Sequence, residues 1–295
     1  MGTLVGHLVP GTFFMLFGAW FTYRVYLRYF TCLRAEAVLG DKHRARYRNT
    51  ASFRCGCCPH LPLEGILKIA AAAVGMTGEF ATAFEEGQFK AIGNAQHMSM
   101  FFFFGLNGVL DVLTHYRMPL PPDMDFVSAA LALSMEALLF YYHLHGRSPM
   151  DVQVHMLLFY VVVAGAVAVV LEMCQRTNVL PALGRAYFTL LQGTWFYQVG
   201  FVLYPPWDRP WNQHDHSEMM IITLIFTWHN AIIFVFMTLA GTVIYFHVKA
   251  LPTSALYHNL YDPYLYDSQR TALSDFDSDH TKNILQDSEE EEEEV

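Results

Sequence analysis

Long apolar runs alternate with short polar segments along most of the chain. Seven of them, near 5–30, 61–84, 96–115, 124–145, 151–174, 181–204 and 218–248, are each long enough to cross a bilayer. About 20 residues of helix span roughly 30 Å of hydrocarbon. A spanning segment must satisfy its own backbone hydrogen bonds, which makes each run a helix. The pattern predicts an all-α polytopic integral membrane protein: a seven-transmembrane helix bundle over residues 1–250, followed by a tail over 251–295 with no long apolar periodicity. The tail is acidic and rich in Ser and Tyr, a composition that favours disorder.

Composition agrees with a membrane body. Of 295 residues, 54% are apolar and only 15% charged, against about 25% charged in an ordinary soluble domain. The net charge of −9 belongs to the tail, where residues 251–295 carry twelve Asp or Glu and two Lys or Arg; the first 250 residues sum to +1. Basic residues collect on the cytosolic side of membrane proteins. Seven spans sort fourteen Lys and Arg onto the face of the first, third and fifth loops and the C-terminus. Only Lys90, Arg147 and Arg209 fall on the other face, and Lys68 lies within the second span. The expected topology is therefore N-terminus lumenal or extracellular, C-terminus cytosolic. The first span has Arg24, Arg28 and Arg34 after its apolar run and no basic residue ahead of it, the reverse of a cleavable signal, so it reads as retained. Gly2 heads no myristoylation motif, because position 6 is Gly.

Two cytosolic features concern processing and sorting. The run CGCCPH abuts the second span, and its Cys55, Cys57 and Cys58 suit S-acylation. Unmodified thiols fit as well, and a zinc knuckle with His60 lacks a second ligand pair. In the tail, YHNL (Tyr257 to Leu260) fits a tyrosine-based sorting signal for cytosolic adaptors. Glu289–Glu294 is a solvated charge run. The basic residues sit where topology requires them, so nucleic-acid binding is unsupported; the lipid bilayer is the partner the sequence demands.

The candidate chemistry lies in the polar residues within the runs. On the expected topology, residues from six spans converge on the outer half of the bundle. Glu136 lies about 10 Å below His143 on one face of the fourth span. His155 and His97 fall in the first turns of the fifth and third spans, Glu79 near the outer end of the second, and His229 about three turns down the seventh. A carboxylate in hydrocarbon is costly unless paired, protonated or bound to a cation. No Lys or Arg shares Glu136's helix or depth, which leaves histidine, glutamine or a metal as partner. Imidazole and carboxylate suit zinc and related divalent ions. This gives an upper set of first-shell ligands, His97, Glu136, His143, His155 and His229, supported by His7, Glu79, Trp195 and Gln198. The alternatives are histidines that reach to the interface from helix ends, and a satisfied buried pair for Glu136 and His229. Asp111 and Lys68 read as a structural pair. Phe101–Phe104 reads as packing or lipid-facing surface.

GHLVPGTFF (6–14), QHMSMFFFFG (96–105), MEALLFYYHLHGR (135–147), LLQGTWFYQVGFVLYPP (190–206) and TWHN (227–230) resemble the transmembrane protein 45 family, which includes the transmembrane epididymal proteins. The likeness covers about residues 1–250, and the tail with TALSDFDSD looks like that of the B-type member. The resemblance implies a seven-span protein of Golgi and endosomal or lysosomal membranes, with the plasma membrane as a further site, and no settled activity. Where the family commonly has Trp two residues before the histidine of span three, this chain has Ala95. Three functions remain open on sequence. One is a non-enzymatic protein with a lumen-facing metal or proton site in trafficking, ion handling or sensing. Another is a membrane-embedded zinc hydrolase of a lipid-like amide or ester, with Glu136 as general base. The third is a small-solute transporter, against which the lack of an internal repeat argues. No dinucleotide-binding, P-loop, nucleophile-elbow or metalloprotease motif occurs.

Overall fold

The computed structural model describes residues 2–39, 47–56, 58–85, 87–89 and 91–252. The sorting motif at Tyr257 and Leu260, the acidic tail and Cys57 lie outside the described residues. Within them, seven helices follow in order: α1 (Leu4–Leu39), α2 (Leu63–Thr82), α3 (Ile92–His115), α4 (Met124–Tyr142), α5 (Pro149–Cys174), α6 (Val179–Leu203) and α7 (His216–Ala250). Each falls on one apolar run. A short antiparallel ribbon, β1 (Phe84–Glu85) with β2 (Gln88–Phe89), joins α2 to α3. It turns at Gly87, whose φ of +76° suits a residue without a Cβ. Alternation is too brief in FEEGQF to have announced a strand pair.

Helix starts follow local chemistry. Ser148 caps α5 by accepting from the Asp151 amide, with Pro149 in the first turn. Asp215 caps α7 by accepting from Ser217 and Glu218. We call the end where α1, α3, α5 and α7 begin the upper end. α1 and α7 run in the same direction and are tied at the lower end by Arg34, which donates to the Val248 carbonyl.

Five helices, α1, α3, α4, α5 and α7, are long and apolar enough by themselves to cross a membrane. The other two fall short through their polar residues, for a positional reason in α6. It is the central helix, packed on α1, α5 and α7, and it buries Arg185, Gln192 and Trp195 among its neighbours. A helix shielded from lipid need not be apolar all round. α2 carries Glu64, Lys68 and Glu79, of which Glu64 is buried in the bundle.

Between lipid-immersed helices there is little hydrophobic gain, so close backbone approach holds them together. α1 and α6 meet through glycines: a Cβ on Gly193 would stand 2.6 Å from the Met15 nitrogen, and one on Gly11 3.0 Å from the Gly193 carbonyl. α2 and α3 meet where Gly65 and Gly108 face each other, each blocking a Cβ with its carbonyl at 2.8 Å. One apolar cluster fills the upper half around Trp195, Phe196, Met150 and Leu158; another fills the lower half around Phe21, Phe53, Ala186 and Leu190.

The segment before α2 folds inward at the lower end. Arg185 donates to the carbonyls of Ala51 (3.0 Å) and Thr50 (3.2 Å), and the Asn49 side chain donates to those of Gln175 and Asn178, both at 2.9 Å. Phe53 is buried there. Gly193→Ala should lower stability by about 1–3 kcal/mol through overpacking, read as a reduced melting temperature in detergent. Gly78→Ala, whose Cβ would enter open space within α2, should not lower it and gains helix propensity.

Candidate functional site

Ionisable side chains enter the bundle at two levels and are handled differently at each. At the lower end they are matched as ion pairs. Arg185 of α6 clasps Glu172 of α5, Nε to Oε2 at 2.7 Å and Nη2 to Oε1 at 3.2 Å. Lys68 donates to Asp111 at 2.6 Å, the expected structural pair, and lies 3.1 Å from Glu64. Glu64 also accepts from Trp20 at 2.8 Å and from the Phe53 amide at 2.9 Å. These contacts hold α1, α2, α3, α5, α6 and the inward segment together.

Glu136 occupies the middle level, fully buried. Both its carboxyl oxygens accept from the Gln192 side chain, at 2.8 and 2.9 Å. Glutamine, one of the three partners expected, is the one in place; among the described residues no imidazole hydrogen-bonds to it. His229 stands apart from it on α7, Nδ1 at 3.1 Å from the Thr194 hydroxyl and its ring edge-on to Trp195. Trp195 itself donates to the Val154 carbonyl. Gln198 is half-buried on α6. Among the described residues, no group of three or more His, Cys, Asp or Glu is placed to hold a metal ion. Of the upper ligand set, Glu136 and His229 are thus separated from the other three.

At the upper end the remaining histidines come together. Ring centroids step from His97 to His143 (5.2 Å), from His143 to His155 (6.3 Å) and from His155 to His7 (6.0 Å). Four helical elements contribute: α3, the cap of α4, α5 and α1. His7, placed by sequence in a supporting role, is a full member of the string. Each ring is oriented by a partner. His97 Nδ1 lies 3.3 Å from Glu79 Oε1, His155 Nδ1 is 2.7 Å from Asp151 Oδ1, and His7 Nδ1 is 2.8 Å from the Thr3 carbonyl. His143 uses both nitrogens, Nδ1 donating to Gln96 Oε1 at 2.6 Å and Nε2 accepting from Arg147. Arg147 in turn binds Asp151 at 2.9 Å.

Arg147 and Gln96 were not picked out from the sequence as site residues, and Asp151, a polar position shared with the family the chain resembles, was not placed in the candidate site; Arg147 and Asp151 carry a readable signal. His143, Arg147, Asp151 and His155 recur every four residues, the spacing that stacks side chains on one helical face. The Gly146 turn, with φ +78°, lies inside that spacing, and His143 to Asp151 still meet across it.

The string forms the mouth of a cavity of about 570 Å³ whose lining also includes Glu136 and, at the far end, Lys68 and Arg185. His143, just beyond α4, has its pKa lowered to about 3, first by burial and then by the Arg147 charge beside it, with smaller contributions from His97 and His155. At neutral pH it is the uncharged acceptor that the Arg147 contact requires.

With this geometry in hand, likeness to known proteins is informative. The profile of a family of unknown function, DUF716, matches residues 122–242, which run from α4 into α7 and include Glu136, His143, His155 and His229. The chain is similar to the transmembrane epididymal proteins. It is 24% identical to transmembrane epididymal protein 1 of Rattus norvegicus over 243 residues, covering 78% of this chain and 76% of the relative. Transmembrane epididymal protein 1A of Mus musculus gives the same identity over the same length. The human protein 1 is 28% identical over 136 residues, half of its own length. Together with the apolar helices, these relatives make the chain an integral multi-pass membrane protein.

The Glu136–Gln192 pair is open to a direct test. Gln192→Leu should destabilise the protein by about 1–3 kcal/mol, because it strands a buried polar group. The double variant Glu136→Leu with Gln192→Leu should recover most of the loss. Thermal or chemical unfolding in detergent measures both.

Proposed function

We propose that the chain crosses Golgi and endosomal or lysosomal membranes seven times, upper end lumenal and lower end cytosolic, and that its upper histidines respond to lumenal protons in an ion-handling or sensing role. The observation that carries this reading is the unbroken string of four imidazoles at the cavity mouth. Histidine is the side chain whose ordinary titration spans the range between neutral and endolysosomal pH. The one-sided distribution of Lys and Arg supports the orientation. The tail, like that of the B-type transmembrane protein 45, supplies a tyrosine motif for adaptors, and acylated Cys55, Cys57 and Cys58 would hold the start of α2 at the cytosolic surface.

His143 is the responsive element. It accepts from Arg147, donates to Gln96 and faces His97, His155 and Asp151. A second proton on its ring would remove the acceptor and set two cations side by side. Arg147 would then have only Asp151 and the His143 carbonyl, to which its Nε donates at 2.9 Å. With the His143 pKa held at about 3, the closed mouth excludes that proton, so acid favours an opened junction of α4 and α5 in which the ring is free to take it.

The sign of the stability change follows from linkage. The folded state holds His143 at about 3, below its ordinary 6.5, so the unfolded chain takes up the proton first. Stability is fully present above the ordinary value and falls as pH drops below it. Between about pH 7 and about pH 5 the melting temperature of the purified protein should fall by a few degrees. In His143→Gln the fall should be smaller. A melting temperature independent of pH over that interval in the wild type would remove the reading.

A further inference from the structure

The cavity below the histidines has the shape, wall chemistry and access of a lipid site. Its volume of about 570 Å³ is within the roughly 300–1,000 Å³ usual for small-molecule pockets. Its walls are apolar and aromatic, among them Phe13, Phe14, Phe101, Phe104, Phe140 and Phe196. Along α2 it reaches from Glu79 at the mouth to Lys68, eleven residues or about 16 Å of helix. That is about half of a 30 Å hydrocarbon layer, one leaflet.

Access is from the side. α1 and α2 barely meet; Trp20 donates to Glu64 near the lower end, and above it the two helices part. Val5 of α1 and Val74 of α2 line the cavity yet are 65% and 59% exposed. In a bilayer that exposure faces acyl chains.

The mouth selects a head by hydrogen-bond sense. A backbone carbonyl only accepts, so His7 Nδ1, 2.8 Å from the Thr3 oxygen, carries the ring proton and Nε2 is a bare acceptor. The same holds for His155, whose Nδ1 faces the Asp151 carbonyl at 2.9 Å and its carboxylate at 2.7 Å. His97, oriented by Glu79, presents the same edge. Among the described residues, three acceptor nitrogens therefore line one end of the cavity, beside two carboxylates and Arg147, already bound to Asp151. Among those residues an anionic head would meet Glu79 and Asp151 with no unengaged cation; a donor head meets acceptors.

We propose that this cavity binds a single-chain amphiphile drawn from the bilayer between α1 and α2, its hydroxyl or amine head held by His7, His97 and His155. The assignment rests on the same imidazoles as the proton reading but not on their titration. It is tested at constant neutral pH, so either can fail alone.

The test uses the full chain in nanodiscs with three probes of one oleyl chain: monoolein, oleylamine and oleate. Monoolein, oleylamine or both should bind saturably, about tenfold tighter than oleate. Binding of one donor head alone identifies the source as alcohol or amine. His155→Phe should abolish the preference over oleate while chain binding persists. Val74→Trp, at an exposed site that leaves the fold intact, should close the cleft and weaken all three probes. Oleate binding as tightly as the donor heads, no saturable binding of any probe, or binding unaltered in both variants would each overturn the assignment.

Discussion

A charge or hydrogen-bonding group taken into hydrocarbon must bring its partner with it, and this constraint arranges the helices. Leaving such a group alone costs several kcal/mol, more than most packing contacts return. Glu172 therefore binds Arg185 of the next helix, Asp111 binds Lys68 across α2 and α3, and Glu136 binds Gln192 across α4 and α6. Each pair joins two helices at a fixed height. Height and partner together set register, which apolar surfaces sliding on one another would leave undefined. The segment before α2 is drawn into the same scheme: its carbonyls accept from two further donors of Arg185.

Glycine at the helix contacts makes such short polar bonds reachable. α1 approaches α6 at Gly11, Gly18, Gly193 and Gly200, and α2 approaches α3 at Gly65 and Gly108. Where no such stripe exists, between α1 and α2, the helices diverge and the cavity opens. The lateral cleft is thus the counterpart of tight packing elsewhere: α1 is committed to α6 and α2 to α3.

How much of this was legible in the sequence depended on which dimension was asked about. Length along the chain was readable, because an apolar run needs only to be counted; all seven helices lie on their expected runs. Height in the bundle was readable too, since rise per residue is constant, and His97, His143 and His155 share the upper level as expected. Azimuth was not. His229 has suitable depth but faces Thr194 and Trp195, because nothing in α7 alone says which side meets the cavity. The same gap hid the place of His7 in the string. The inward fold of residues 47–56 left no mark either, since its bonds run through backbone carbonyls that every residue owns. The metal expectation came from residue types and depth without azimuth; geometry brings three of the five chosen residues together and leaves Glu136 to an amide.

The two ends of the bundle use different polar chemistry. At the lower end, guanidinium and ammonium meet carboxylate. At the upper end the carboxylates are paired mostly with imidazole, whose charge and donor sense change with a single proton. Guanidinium there is reduced to Arg147, poised between the ring of His143 and the carboxylate of Asp151. A structural clamp gains nothing from a partner that titrates, whereas a site that must bind and release does. The Lys and Arg pairs hold the helices, and the imidazole pairs sit where the cavity meets its surroundings.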